Sequence, residues 1–127
     1  KLWDEFYLLC GKDLVISKAR SCVLKLLGFT PRMVYLTGRS EVCRDITLSW
    51  LEDNGFPKAD LYMRSLTDTR SSEALKREAI QHLRAKKWQD TALLIDDEPG
   101  ILSMALDEGV DVHRAPYCWD YLPSMPF

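Results

Sequence analysis

Apolar residues fall along this chain in short continuous runs separated by stretches of helical spacing. The runs are MVYLT (33–37), DLYMR (60–64), TALLID (91–96) and VDVHRA (110–115). MVYLT is a continuous apolar run of the kind buried on both faces in a parallel sheet, while VDVHRA reads as an edge-like strand. The intervening stretches follow a different period. In ISKARSCVLKLLGF, Ala19, Cys22, Val23, Leu26 and Leu27 share one helical face, and Gly28 supplies a stop. Ser40 is placed to cap a helix reaching about residue 54, with Val42, Cys43, Ile46 and Trp50 inward and NGFP as its end. A third long helix follows SLTDTRSS and turns Leu75, Ala79 and Leu83 inward. Pro99 suits the first turn of a fourth, whose stripe is Ile101, Met104 and Ala105 and whose stop is Gly109. DEFYLLCG (4–11) reads as one more short helix.

Strands alternating with helices imply an α/β fold with right-handed crossovers, in which functional groups collect at the carboxyl ends of the strands. The chain is expected to form one domain over 1–127, with a small helical lid region at 1–30, a core at 31–116 and an aromatic, proline-punctuated tail at 117–127.

Composition changes this picture little. The chain has 46% hydrophobic and 28% charged residues, an ordinary globular balance, and no apolar run of bilayer length. A net charge of -2 excludes a nonspecific coater of duplex nucleic acid but leaves room for a local grip on a few phosphates. Cys10, Cys22, Cys43 and Cys118 are far apart and form no C-x-x-C pair, and His82 and His113 have no metal-like spacing to them, so zinc is not expected. Three of the cysteines sit among apolar residues, which predicts buried free thiols and a cytoplasmic location.

The strand ends hold the candidate chemistry. Thr37, Gly38 and Arg39 close one strand; Asp96 and Asp97 close another. The turn before the third helix carries Asp68, Thr69 and Arg70, and Lys76 lies one turn into that helix. Adjacent carboxylates repel unless a cation compensates them, which points to a divalent metal; alternatively one Asp caps the following helix. A hydroxyl, cationic side chains and a metal-binding acidic pair together match a phosphoryl group, which needs donors for its oxygens and a dication for its charge.

Three segments resemble motifs of the haloacid dehalogenase superfamily of aspartate-based phosphohydrolases. MVYLTGRS is similar to its second motif, EALKREAI contains a lysine like that of the third, and LLIDDEP is similar to the fourth. The match spans about residues 33–116. TGRSE, DTR and IDD together most resemble the phosphatase domain of bacteriophage-type polynucleotide kinase-phosphatases, with Ser72 departing from an acidic residue usual there. The resemblance implies a three-layer sandwich with a parallel, Rossmann-like sheet and Mg2+ as cofactor. It makes Thr37 and Lys76 catalytic, gives Thr37, Gly38, Arg39 and Arg70 to the substrate phosphate, and gives Asp96 and Asp97 to the metal. The implied substrate is a phosphomonoester, specifically the 3′-phosphate end of a polynucleotide.

The superfamily's first motif, D-x-D-x-[TV], carries the nucleophilic aspartate and the general acid/base, and these 127 residues contain no such segment. The resemblance therefore implies a sheet lacking its central first strand, and a chain inactive alone, with an N-terminal segment or a fused kinase domain as the missing partner. Two alternatives stand beside the polynucleotide phosphatase: a catalytically degenerate phosphate-binding or regulatory module, and a small-molecule nucleotide phosphatase. No large cap fits between Thr37 and Lys76, where one helix, one strand and a turn use up the chain. An open crevice suits a phosphate on a large substrate, for which Tyr35, Tyr62, Tyr117 and Trp119 are candidate stacking platforms. A receiver domain would need far more chain after its acidic pair than 98–127, and a dinucleotide site would need the G-x-G-x-x-G that is missing.

Overall fold

The computed structural model describes residues 17–28, 32–86 and 93–121. The expected helix at 4–11, most of the lid region and residues 122–127 of the tail lie outside them. The chain is α/β, and its strands pair in two parallel two-stranded ladders rather than one sheet. Its contacts gather in two compact units that divide at Asp68 and Thr69, where the sequence reads as a single core over 31–116. The division follows the strand pairing: among the described residues no strand bridges the two ladders.

The first unit contains α1 (Ser17–Leu27), β1 (Val34–Ser40), α2 (Arg44–Asp53) and β2 (Asp60–Arg64). The predicted inward face of α1 is its less exposed one, with Cys22 fully buried. Arg20 joins α1 to the end of α2 by donating to the Asn54 carbonyl at 3.1 Å. Gly55 ends α2 at φ 78, a conformation that L side chains rarely adopt. Ser40 does act as a cap, accepting from the Val42 N–H at 3.2 Å, but what it caps is a 3₁₀ turn over Glu41–Cys43. That tighter turn changes the angular period and swings Val42 outward, to 43% exposure, instead of onto the inner face. Cys43 and Thr47 line the interior there.

β1 runs three residues past its expected end at Thr37. Val34, Tyr35 and Leu36 pair with Asp60, Leu61 and Tyr62, and Ser40 pairs with Arg64. Between Leu36 and Ser40 the first strand thus advances four residues while β2 advances two, so Thr37, Gly38 and Arg39 form a bulge. Arg44 braces this ladder: it grips Glu41 at 2.6 Å through two nitrogens and donates to the Leu61 carbonyl at 2.9 Å. Those hydrogen bonds hold the Glu41 carboxyl below its ordinary range.

The second unit contains α3 (Ser72–Ala85), β3 (Leu93–Asp96), α4 (Pro99–Asp107), β4 (Asp111–Arg114) and the single turn α5 (Cys118–Tyr121). Ser71 caps α3 by accepting from Ala74 N–H at 3.2 Å. The β3 and β4 strands are in register from Leu93 with Asp111 to Asp96 with Arg114. Helix α4 packs on both strands and on α3, burying the stripe expected of it, Ile101, Met104 and Ala105. Arg77 and Gln81 of α3 both reach Glu108, at 2.9 and 3.0 Å, and so fasten the end of α4. Gly109, at φ 77, then turns the chain into β4. Cys22, Cys43 and Cys118 are buried free thiols, as expected; Cys10 lies outside the described residues. Among the described residues no helix is long and apolar enough to cross a membrane.

Two residues of α4 test this packing. Met104 is 1% exposed and Leu106 is 58% exposed. Met104→Ala is expected to lower unfolding free energy by about 2–5 kcal/mol, while Leu106→Ala stays within about 0.5 kcal/mol of the parent. Urea denaturation followed by circular dichroism compares them; equal losses would contradict this placement of α4.

Candidate functional site

Lys76 faces the interior of the second unit because it shares a helical stripe with apolar residues. From it, Ile80 and Leu83 follow at i+4 and i+7, and both are buried. Its side chain is only 14% exposed, so the ammonium needs an anionic partner. That partner is Asp96 Oδ2, 2.6 Å away, on a side chain 8% exposed.

Asp96 is fixed at three points. Its carbonyl accepts from Ala115 N–H at 2.9 Å, continuing the strand pairing. Its Oδ1 accepts from the Glu98 N–H at 3.0 Å, which bends the chain into α4, and its Oδ2 holds Lys76. Burial is the largest single influence on the Asp96 carboxyl and pushes its pKa up. The hydrogen bonds from Lys76 and Glu98, the Lys76 charge and the Asp97 side chain together outweigh burial and leave the pKa lowered. The cation that compensates Asp96 is thus Lys76, and its other oxygen closes a turn ahead of α4, whose own N-cap, Glu98, makes no side-chain cap bond. Asp97 is exposed.

Among the described residues, no three His, Cys, Asp or Glu side chains gather as a metal site. Magnesium is commonly held by one or two carboxylates with water completing its shell. Asp97 can serve it directly. Asp96 can join only in competition with Lys76, since its two oxygens are already engaged.

Arg70 is held elsewhere. Its Nη1 lies 2.5 Å from Glu78 Oε2 on an exposed surface, and Glu78 sits about 200° around α3 from Lys76. In the first unit, the bulge organises the other expected group. Thr37 Oγ1 accepts from the Arg39 N–H at 3.1 Å, and the Gly38 carbonyl accepts from Arg64 Nε at 2.9 Å. Thr37 is therefore a local cap, while its own hydroxyl proton is still able to donate. Arg64, which also donates to the Asp68 carbonyl at 3.3 Å, did not stand out in the sequence. Its place as the last residue of a strand, where polar groups collect, was the available signal.

The candidate stacking residues separate by environment. Tyr35 donates to the Pro57 carbonyl at 2.6 Å, and burial raises its hydroxyl to about 12, so it is a structural tyrosine and not a platform. Tyr117 is 64% exposed. The chain matches no family model, no curated protein and no solved structure.

The Lys76–Asp96 pair makes stability pH-dependent in a defined sense. A carboxyl lowered in the folded state contributes stability above its unfolded value, about 3.9, and loses it as pH falls through the folded value. Stability should accordingly rise with pH through the acidic range, and Asp96→Asn should flatten that rise. At neutral pH the same substitution strands a shielded ammonium and is expected to cost about 3 kcal/mol, the lower end for a broken buried pair. Adding Lys76→Met should recover part of it. Denaturation of the parent and the two variants from pH 3 to 7 checks this, and an unchanged acid slope in Asp96→Asn would show that the pair carries no linkage.

Proposed function

We propose that the chain carries the charge-stabilising part of a magnesium-dependent phosphomonoester hydrolase site of the haloacid dehalogenase type. The observation that carries this reading is the shielded lysine of α3 on the last carboxylate of β3, with a second, exposed carboxylate next to it. A purely structural ion pair needs no exposed Asp97, and a helix cap needs no buried lysine. In this reading Lys76 neutralises charge on a bound phosphate and Asp97, with Asp96, faces the cation. Polynucleotide 3′-phosphate ends are the preferred substrate. A Rossmann-like sandwich belongs to the same reading, supported by two parallel ladders and by helices following β1, β2 and β3. Magnesium, when bound, would supply a dication against phosphate charge.

The second reading is a phosphate-binding or regulatory module. It is favoured by one observation: the 127 residues contain no D-x-D-x-[TV] segment to provide the attacking carboxylate. The two readings share their binding chemistry and differ in turnover. Neither requires a membrane.

Calorimetry with magnesium and with inorganic phosphate tests the shared part. Magnesium is expected to bind on the order of millimolar, and Asp97→Asn should abolish it. Lys76→Met should move the two ligands in opposite directions, strengthening magnesium by about tenfold as Asp96 is released and weakening phosphate by a similar factor. Magnesium binding that ignores both substitutions would refute the site. The chain alone should not hydrolyse an aryl phosphate; turnover abolished by Asp97→Asn would instead place the nucleophile within these residues.

A further inference from the structure

The strand pairing that fixes Asp96 also fixes Arg114. The two residues are register partners at the carboxyl ends of β3 and β4, so their side chains leave the ladder on the same face, with backbones about 4.8 Å apart. Arg114 is exposed, and among the described residues it pairs with no carboxylate. Its guanidinium instead lies over the ring of Tyr117, 5.6 Å from the centroid. Tyr117 is nevertheless 64% exposed, so the guanidinium leaves much of the ring to solvent. A planar cation and an aromatic ring held together at the surface offer stacking faces and positive charge at once.

The neighbouring aromatic pair has a different character. His113 and Tyr121 meet through a 2.7 Å contact between Nδ1 and the hydroxyl, with rings tilted by 53°. His113 alternates with Arg114 along the strand and so leaves the opposite face. Of the two strand residues, only Arg114, the one that carries Tyr117, leaves the ladder on the face of Asp96.

We propose that Arg114 and Tyr117 form a stacking platform for the nucleobase adjoining a phosphate held at Lys76, which makes the ligand of this site a nucleoside phosphate. The inference rests on the phosphate reading given above. An aromatic face receives any base, because every base has a π surface, and the guanidinium adds attraction for the phosphodiester chain. Specificity for a nucleic acid end over a sugar phosphate then comes from stacking, while Lys76 reads the phosphate that all such ligands share.

The test titrates the full chain, with magnesium present, with adenosine 3′-phosphate, inorganic phosphate and adenosine, followed by NMR chemical shifts. The nucleotide is expected to bind at least about fivefold more tightly than inorganic phosphate, in line with the worth of one base stacked on an aromatic ring. Tyr117→Ala should remove that advantage and leave inorganic phosphate unchanged; Tyr117→Phe should keep it, since the ring and not the hydroxyl is used. Nucleotide and phosphate of equal affinity, or a Tyr117→Ala variant that keeps the advantage, overturns the platform while leaving the phosphate site standing. If adenosine and its 3′-phosphate bind equally, both through Tyr117, and inorganic phosphate does not bind, the platform stands and the phosphate reading falls. If no ligand binds, both are wrong.

Discussion

A carboxylate can accept from several directions at once, and the second unit is organised around one that does. Asp96 takes an ammonium on one oxygen and a main-chain N–H on the other, while its own carbonyl continues the ladder to Ala115. Each contact ties down a different element: α3 through Lys76, the start of α4 through Glu98, and β4 through Ala115. Removing the charge would weaken the first two and leave the backbone bond to Ala115 in place. Pairing also makes burial tolerable, because either ion alone on so shielded a side chain would carry a desolvation cost of several kcal/mol. The outcome is a lysine held in one place and a carboxyl that stays ionised into the acid range.

The first unit meets a different problem, a strand that outruns its partner. The bulge over Thr37, Gly38 and Arg39 takes these residues out of the ladder, so their polar groups need partners of another kind. The Thr37 hydroxyl accepts from Arg39 N–H, and Arg64 reaches the Gly38 carbonyl. Arginine does the same work at the other end of the ladder, where Arg44 spans Glu41 and the Leu61 carbonyl. In both places a planar, multi-donor side chain satisfies backbone that strand pairing leaves open.

Much of this was legible in the sequence because it depends on local chemistry. DLYMR gave β2 its full extent, Gly109 stopped α4 where a positive φ was needed, and the α4 stripe pointed inward as its spacing required. What was not legible depends on partners far along the chain. The bulge exists only as a mismatch with β2, and nothing in MVYLTGRS announces it. Val42 turns outward while Cys43 stays buried because a 3₁₀ turn intervenes, and VC reads alike in either period. Tyr35 and Tyr117 are the same residue type, separated only by whether the hydroxyl finds a carbonyl in the interior. At the candidate site, the sequence named Lys76 and Asp96 as members of one group; that they form a direct ion pair required the fold. Arg70 was placed with them as part of the turn before α3 and by the resemblance, whereas in the structure it pairs with Glu78.

The ion pair does not affect both ligands of the proposed site in the same way. An ammonium has three donors, and Asp96 occupies one of those on Lys76, so a phosphate can be met without separating the pair. The Lys76 side chain is not wholly enclosed, with 14% of it exposed. A cation has no such option, since it needs the oxygen lone pairs and the negative charge that Lys76 is already neutralising. Exposure of Asp97 supplies a carboxylate without that competition. In the proposed site the two tasks therefore fall to neighbouring acids: Asp96 keeps the lysine in position, and Asp97 remains available to positive charge.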